Sequence, residues 1–166
     1  MAIDFTLSPE VEAIRQRVRD FIQTVVKPAE EKIGDPDKIE RSSYLKLLLQ
    51  MRAEAKAAGL WLPHMPKEWG GMGLGHVELA MVQAEAAKAY YGPWVMNCQA
   101  PDEGNMHTLL HWATDAQKEK YLRPLCEGHV MSCFAMTEPE VAGSDPTLIQ
   151  TKAIRDGDDW VVNGHK

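Results

Sequence analysis

The first apolar pattern of the chain has helical spacing. Its members fall on one helix face: Val11, Ile14, Val18, Phe21, Ile22 and Val25. Ser8 is placed to cap this helix, and Pro9 suits its first turn because a proline there gives up no helical hydrogen bond. We expect Pro28 to end or kink the helix, since a proline ring disrupts the turn before it.

Four more helices are predicted farther along the chain. The second begins at residues 42–43 and stops before Gly59, which suits a left-handed cap. The third and fourth cover residues 76–91 and 106–112. The fifth covers residues 114–126, and it starts with the Thr-x-x-Gln spacing of a capping box.

After the fifth helix the apolar residues take the period of strands. A short apolar run at residues 131–136 is predicted to form a strand. Residues 151–155 and 160–162 are predicted to pair as a hairpin across an Asp-Gly-Asp-Asp turn. The Asn-Gly pair at residues 163–164 is expected to make a second turn, so we expect the β unit to continue past Lys166.

These elements predict a mainly α protein with two domains. Residues 1–129 are predicted to form an N-terminal all-α domain, and residues 130–166 the beginning of a β domain. Hydrophobic residues make up 45% and charged residues 25% of the chain, an ordinary balance for a globular protein. The net charge of -6 argues against nucleic acid or an anionic membrane as a partner, and no apolar run is long enough to span a bilayer.

The start of the chain and its cysteines indicate a compartment. Residues 1–10 show neither a secretory signal nor an Arg-rich transit peptide. We therefore expect a cytoplasmic protein if the source is bacterial, and a mitochondrial matrix or peroxisomal one if it is eukaryotic. Cys98, Cys126 and Cys133 form no Cys-x-x-Cys pair and are predicted to be small buried side chains in a reducing compartment.

Two patterns that could carry chemistry are better explained as structure. The Gly-rich run at residues 70–75 follows a Pro-containing segment instead of a strand, so we predict a connection between helices and no phosphate-binding loop. His107 and His111 lie four residues apart and could face one metal ion from a helix, but zinc would need at least one more ligand. We therefore predict no metal site.

Residues 134–145, with the sequence FAMTEPEVAGSD, differ in kind. A strand is expected to lead into a loop of small residues, where Thr137 and Ser144 offer hydroxyls and Gly143 leaves backbone amides accessible. Such an edge suits a planar heterocycle with carbonyl and ring-nitrogen acceptors, followed by a phosphate. The alternative is a plain turn capped by Ser144 and Asp145.

Four segments resemble, in the same order, motifs of the acyl-CoA dehydrogenase family. Residues 134–145 are similar to its flavin-binding signature, in which Thr-Glu-Pro is followed by a short spacer and Gly-Ser-Asp. Residues 66–73 resemble its Pro-x-Glu-aromatic-Gly-Gly-x-Gly loop, residues 117–125 its Gln-Lys-x-x-aromatic-Leu-x-Pro-Leu helix, and residues 159–166 its Asn-Gly-x-Lys turn. The spacer after Pro139 resembles that of the subgroup related to the large kinase-fused eukaryotic members.

The resemblance implies the acyl-CoA dehydrogenase fold, with an N-terminal helical domain followed by the first strands of a β-barrel-like middle domain. It also implies FAD as the cofactor. Four residues would line the pyrimidine side of the flavin ring, with the threonine hydrogen-bonded to it: Phe134, Ala135, Met136 and Thr137. Gly143 and Ser144 would approach the flavin pyrophosphate, and Ser144 would also contact the CoA moiety of the substrate.

The implied reaction is the α,β-dehydrogenation of a fatty acyl-CoA to a trans-2-enoyl-CoA, and the subgroup favours longer acyl chains. Glu138 would be structural, and the catalytic base would lie C-terminal to Lys166, so the chain alone is expected to be inactive. The implied partners are a fatty acyl-CoA, an electron-transferring flavoprotein and further subunits of a homodimer or homotetramer. Two alternatives are a non-catalytic helical assembly or interaction domain, and a flavin oxidase of the same fold, such as an acyl-CoA oxidase or nitroalkane oxidase.

Overall fold

The computed structural model describes residues 7–166, which divide into two compact units. The helical unit ends at Ser132, and the hairpin unit covers Cys133–Lys166. The predicted absence of a leader falls partly on residues 1–6, which lie outside the described residues. Within residues 7–166, no helix is long and apolar enough to cross a membrane.

The helical unit opens with a long helix in three parts. Helix α1 spans Pro9–Phe21, a π-helical segment follows over Ile22–Val26, and α2 spans Lys27–Ile33. Ser8 caps α1 as predicted, because its hydroxyl accepts a hydrogen bond from the amide of Val11 at 3.3 Å.

Pro28 was expected to end or kink this helix, but the helix continues past it to Ile33. In the π-helical segment the amide of Lys27 donates to the carbonyl of Ile22, five residues back instead of four. This wider turn leaves room for a proline ring, which would press on a carbonyl in an ordinary α turn. The extra residue also shifts the apolar stripe, so that Val26 is fully buried while Val25 is only half-buried.

Helix α3 spans Arg41–Ala57, close to the predicted start. Its cap is Glu40, whose carboxylate accepts hydrogen bonds from the amides of Ser42 and Ser43, each at 2.9 Å. The φ of +64° at Gly59 confirms the left-handed conformation predicted after the helix.

The third predicted helix is shorter than expected. Helix α4 spans His76–Ala86 and stops five residues early, after which α5 spans Gly92–Val95. The chain folds back tightly here, because a Cβ built at Gly92 would lie 2.0 Å from the carbonyl oxygen of Ala86. Helix α6, over Asp102–Trp112, starts four residues before the predicted position, with acidic side chains in its first turn that favour a helix start.

The fifth predicted helix also contains a π-helical segment. Helix α7 spans Asp115–Gln117, the π-helical segment spans Lys118–Leu122, and α8 spans Arg123–Glu127. The capping box is confirmed, since Thr114 and the glutamine that ends α7 exchange hydrogen bonds of 2.9 and 3.3 Å. Pro124 follows the wider turn, as Pro28 follows the first one.

Side chains from distant parts of the chain close the C-terminal end of α8. They donate to three successive carbonyls: Asn97 to Leu125 at 3.1 Å, Trp61 to Cys126 at 2.8 Å, and Lys56 to Glu127 at 2.6 Å. A helix leaves its last carbonyls without partners inside the helix, so these donors complete its hydrogen bonding. Gly128 then leaves the helix with a φ of +72°.

Arg52 lies behind this helix end and is 5% exposed. Its guanidinium carbon lies 4.7 Å from the ring centroid of Trp61 and 4.4 Å from that of Trp94. It also donates a hydrogen bond to the Trp94 carbonyl at 2.9 Å. Burial lowers the pKa of Arg52 to about 10, and the charge of Asp102 partly opposes this shift. The two indole faces add cation–π attraction.

A buried carboxylate joins α1 to α4. Glu85 is 3% exposed, and its carboxylate lies 3.3 Å from Arg15, 2.7 Å from Arg19 and 2.6 Å from Lys88. Hydrogen bonds from Arg19 and Lys88, opposed by burial, lower the pKa of Glu85 from 4.5 to about 2. The carboxylate is therefore ionised and bound on three sides.

The hairpin unit contains the hairpin predicted from the sequence. Strand β1 spans Lys152–Asp156 and pairs antiparallel with β2, over Asp159–Asn163. The register places Ile154 opposite Val161, and Gly157 supplies the positive φ of +60° in the turn. Every residue of both strands is exposed.

Two predictions next to the hairpin were wrong. Residues 131–136 are not a strand, because no described strand lies beside them to form a ladder, and the amide of Met136 instead donates to the carbonyl of Phe134 at 3.1 Å. Gly164 does not form the expected second turn. A Cβ there would lie 2.0 Å from the Thr151 hydroxyl oxygen, so a close approach accounts for this glycine.

The cysteine prediction holds for two of three residues. Cys98 and Cys126 are buried, and burial raises the pKa of each thiol to about 12. Cys133, the first residue of the hairpin unit, is exposed.

Candidate functional site

The four residues predicted to line the flavin ring share one extended, largely exposed segment. Phe134 is 72% exposed, Ala135 and Thr137 are also exposed, and Met136 is half-buried. The Thr137 hydroxyl makes no hydrogen bond to any residue within 7–166. An exposed aromatic ring and an uncommitted hydroxyl on one stretch of backbone can both meet a ligand.

The loop after this segment returns to it. The backbone turns at Pro139 and Glu140, and Gly143 then lies beside the Thr137 side chain. A Cβ built at Gly143 would lie 3.5 Å from both the hydroxyl oxygen and the methyl carbon of Thr137, an ordinary van der Waals distance. The structure therefore brings together the threonine and the glycine that the sequence placed in one site.

The end of the loop is a capped turn, the alternative that the sequence had suggested. The carboxylate of Asp145 accepts hydrogen bonds from the amide and hydroxyl of Thr147 at 3.0 and 2.6 Å, at the start of a 3-10 turn over Pro146–Leu148. The hydroxyl bond lowers the pKa of Asp145. Ser144 is exposed and takes no part in this cap, so its hydroxyl is accessible to a ligand.

Glu138, the carboxylate inside the Thr-Glu-Pro motif, is 5% exposed. It accepts hydrogen bonds from the amide of Gln150 at 2.7 Å and from the amide and hydroxyl of Thr151 at 2.9 and 2.5 Å. The Thr151 hydroxyl is the largest cause that lowers the pKa of Glu138 to about 2. A carboxylate held ionised in this way is a poor proton acceptor, which fits a structural role.

A carboxylate base in a dry active site needs a raised pKa. The carboxyl groups with a shifted pKa in the described part of the chain are all shifted downward by hydrogen bonds or nearby cations: Glu12, Asp35, Glu40, Glu85, Glu119, Glu138 and Asp145. These seven groups therefore include no candidate for the catalytic base.

Four amides of the Gly-rich run already have partners inside the protein. They donate to backbone carbonyls of the preceding loop: Gly70 to Lys67, Gly71 to Pro66, Met72 to Leu62 and Gly73 to Met65, at 2.9 to 3.1 Å. A phosphate cradle needs amides that point to open space. The prediction that this run is a connection is confirmed.

The two histidines on α6 have a third neighbour that the sequence gave no reason to suspect. The ring centroids of His107 and His111 lie 6.3 Å apart, and His64 lies 5.3 Å from His107. His64 is 6% exposed, neither of its ring nitrogens has a partner among the described residues, and burial lowers its pKa to about 4. No group of three or more His, Cys, Asp or Glu within residues 7–166 is arranged to hold a metal ion.

The helical unit, the aromatic-x-x-Thr-Glu-Pro segment and the Gly-Ser-Asp loop together fit the acyl-CoA dehydrogenase family that the sequence resembles. The sequence profile of the acyl-CoA dehydrogenase N-terminal domain matches residues 8–129. The chain belongs to the acyl-CoA dehydrogenase family.

Individual relatives support the family and the fold. The chain is 38% identical over 167 residues to acyl-CoA dehydrogenase family member 11 of Gallus gallus, a match that covers 98% of this chain and 21% of the relative. A candidate acyl-CoA dehydrogenase from Mycobacterium abscessus superposes with a TM-score of 0.82 at 35% identity, over 96% of this chain and 42% of that one. A Bacillus anthracis acyl-CoA dehydrogenase solved with FAD has a TM-score of 0.58 at 26% identity, over 95% of this chain and 26% of that one.

These matches confirm the predicted acyl-CoA dehydrogenase fold. The chain spans about a fifth of the length of the curated Gallus gallus relative.

Proposed function

We propose that this chain supplies the flavin-binding edge of an FAD-dependent acyl-CoA dehydrogenase. The whole protein would convert a fatty acyl-CoA into a trans-2-enoyl-CoA. FAD, when bound, would supply the acceptor for the hydride that leaves the β-carbon of the substrate. The observation that carries the proposal is the approach of Gly143 to the exposed Thr137 side chain, on the same extended segment that exposes Phe134.

The residues present fit a flavin. Thr137 has a hydroxyl that no described residue occupies, so it can donate to a ring acceptor, and Phe134 presents an exposed aromatic face. Gly143 carries no side chain that would keep a pyrophosphate away, and the exposed Ser144 can donate to a phosphate or to the CoA moiety. Ala135 and Met136 complete the edge along the pyrimidine side of the ring.

We also propose that these 166 residues have no dehydrogenase turnover by themselves. Hydrogen bonds hold Glu138 ionised, and the family resemblance implies a base C-terminal to Lys166, so the base would be supplied from outside the segment. The whole protein would pass electrons to an electron-transferring flavoprotein and would assemble as a homodimer or homotetramer.

The test is a titration of the chain with FAD, followed by flavin fluorescence. Weak binding is expected, and Thr137→Val should reduce the affinity several-fold because it removes the ring hydrogen bond. Thr108→Val is the matched control, since Thr108 donates to the carbonyl of Gly104 within α6, in the helical unit. Equal affinities for the wild type and Thr137→Val would overturn the assignment.

Turnover is tested separately with a fatty acyl-CoA and an artificial electron acceptor. No enoyl-CoA is expected from the chain alone. Enoyl-CoA formation at a rate proportional to the concentration of the chain would show that the base lies within it.

A further inference from the structure

Three separated stretches of the hairpin unit meet at Glu138. Besides the hydrogen bonds from residues 150–151, the carboxylate of Glu138 lies 3.1 Å from the ammonium group of Lys166. The Lys166 side chain is 28% exposed and the Glu138 side chain 5%, so the pair is largely removed from solvent. Gly164 allows this approach, because any Cβ there would collide with Thr151.

Lys166 has a second partner. Its ammonium group donates a hydrogen bond to the backbone carbonyl of Met136 at 3.0 Å. A lysine ammonium carries three donors, so it can bind a carboxylate and a carbonyl at the same time. Lys166 therefore ties the backbone of the extended segment to the carboxylate two residues farther along it.

This contact matters because few hydrogen bonds hold the backbone around Thr137. Besides the bond from Lys166, the backbone of residues 134–137 has one described hydrogen bond, from the amide of Met136 to the carbonyl of Phe134 at 3.1 Å, and no strand partner in the described part of the chain. A peptide unit is planar, so a hydrogen bond that fixes the carbonyl of Met136 also fixes the direction of the Thr137 amide. The position of Thr137 thus depends on Lys166.

We infer that Glu138 and Lys166 are positioning residues that hold the Met136–Thr137 peptide in the orientation in which it meets the flavin. The inference rests on the proposed function, since it concerns the same flavin-binding edge. Glu138 fixes the ammonium group, and the ammonium group fixes the carbonyl. Neither side chain needs to touch the flavin.

The first measurement is the backbone order parameter from ¹⁵N relaxation at Met136 and Thr137. Rigid backbone gives a value of about 0.85 and flexible backbone a value below about 0.6. We expect a fall toward the flexible range in Lys166→Met and in Glu138→Gln, and no further fall in the double variant, because both act through one contact. Lys152→Met is the matched control, since it removes an exposed lysine from the same unit.

Unchanged order parameters in Lys166→Met would overturn the inference, and so would an equal fall in Lys152→Met. A double variant with a clearly larger fall than either single variant would show that the two residues act independently. Amide signals of the helical unit should not move in any variant, which separates a local change from unfolding.

The second measurement is FAD titration of the same variants. A several-fold loss of affinity in Lys166→Met and Glu138→Gln, but not in Lys152→Met, supports the positioning role. Lower order parameters with unchanged affinity refute it. The wild-type chain could fail to bind FAD while the order parameters still fall in Lys166→Met and Glu138→Gln. That result would overturn the proposed function and the flavin role of the two residues. The contact between Glu138 and Lys166 would then be structural only.

Discussion

Neutralising Glu85 should destabilise the helical unit by about 2 kcal/mol. The substitution Glu85→Gln keeps the size of the side chain but removes the charge that faces Arg15, Arg19 and Lys88. Lowering the pKa of Glu85 from 4.5 to about 2 corresponds to about 3 kcal/mol, at about 1.4 kcal/mol per pKa unit. The cationic side chains are 28%, 36% and 49% exposed, so solvent screens part of this energy and the expected loss is smaller.

The stability difference between Glu85→Gln and the wild type should depend on pH. A carboxyl whose pKa is lower in the folded state stabilises the fold above its unfolded pKa, and this contribution disappears as the pH falls. For Glu85 it should be complete above pH 4.5 and lost between about pH 4.5 and pH 2. Glu85→Gln should therefore be less stable than the wild type at pH 7 and approach it near pH 2.

The assay is urea denaturation followed by tryptophan fluorescence at pH 7 and at several lower pH values. Glu31→Gln is the control, because it makes the same change at an exposed position of α2 and should cost less than about 0.5 kcal/mol. A loss in Glu85→Gln that stays constant down to pH 2 would refute the reasoning, because the lost energy would then not come from the charge.

Other positions in the helical unit test its packing and buried charges. Gly128→Ala should lower the free energy of unfolding by about 2 kcal/mol, because the φ of +72° is strained for alanine and the new Cβ would lie 2.6 Å from Arg52. Gly104→Ala should raise the free energy of unfolding by about 0.5 to 1 kcal/mol, because Gly104 lies in α6 with open space around it. Urea denaturation of both variants decides this, and effects of the same sign would contradict it. In the same assay, Arg52→Ala should lower the free energy of unfolding by about 3 kcal/mol. Arg52→Lys should lower it by a smaller amount, because lysine keeps the charge but not the planar stacking between two indoles. A lysine variant as stable as the wild type would argue against the stacking. His64→Phe should be about 1 kcal/mol more stable than the wild type at pH 7, since it removes two unpaired ring nitrogens. The pKa of His64 is lowered from 6.5 to about 4, so the wild type should also lose stability as the pH falls from 6.5 toward 4. This loss is measured by thermal melts. If His64→Phe showed the same loss, His64 would not be its source.

Local signals in the sequence were enough to find most helix ends. Ser8 and Thr114 cap their helices because each cap depends on an amide only three residues away, and Gly59 adopts the left-handed conformation that a helix end favours. The turn of the hairpin is local as well. For the same reason the helical unit and the hairpin could be predicted before any distant contact was known.

The remaining features depend on distant contacts or on a changed helical period. Val26 is buried in place of Val25 because a π-helical turn adds one residue. The spacing of apolar residues does not reveal that turn, and the proline after it is the one sequence feature that could indicate it. His64 lies next to His107 only because two distant parts of the chain pack together. The apolar run at 131–136 has the composition of a strand, but a strand also needs a neighbour, which composition does not supply.

In the candidate site, the sequence suggested which residues face a ligand, but not what supports them. The aromatic, threonine, glycine and serine of residues 134–144 stay a prediction, which the sequence allows because the motif is contiguous. The contacts of Glu138 with Thr151 and Lys166 could not, since they join positions 13 and 28 residues away. The resemblance implied a structural role for Glu138, and its hydrogen bonds supply a physical reason for that role.

The end of α8 has a consequence for how the helical unit opens. Terminal turns of helices usually fray, because their last carbonyls can exchange a protein partner for water at little cost. Here three successive carbonyls are held by side chains from two other places: Asn97 lies just after α5, and Lys56 and Trp61 lie at and just after the end of α3. Opening the last turn would therefore release contacts to both places at once, so this helix end should open together with them and not by local fluctuation.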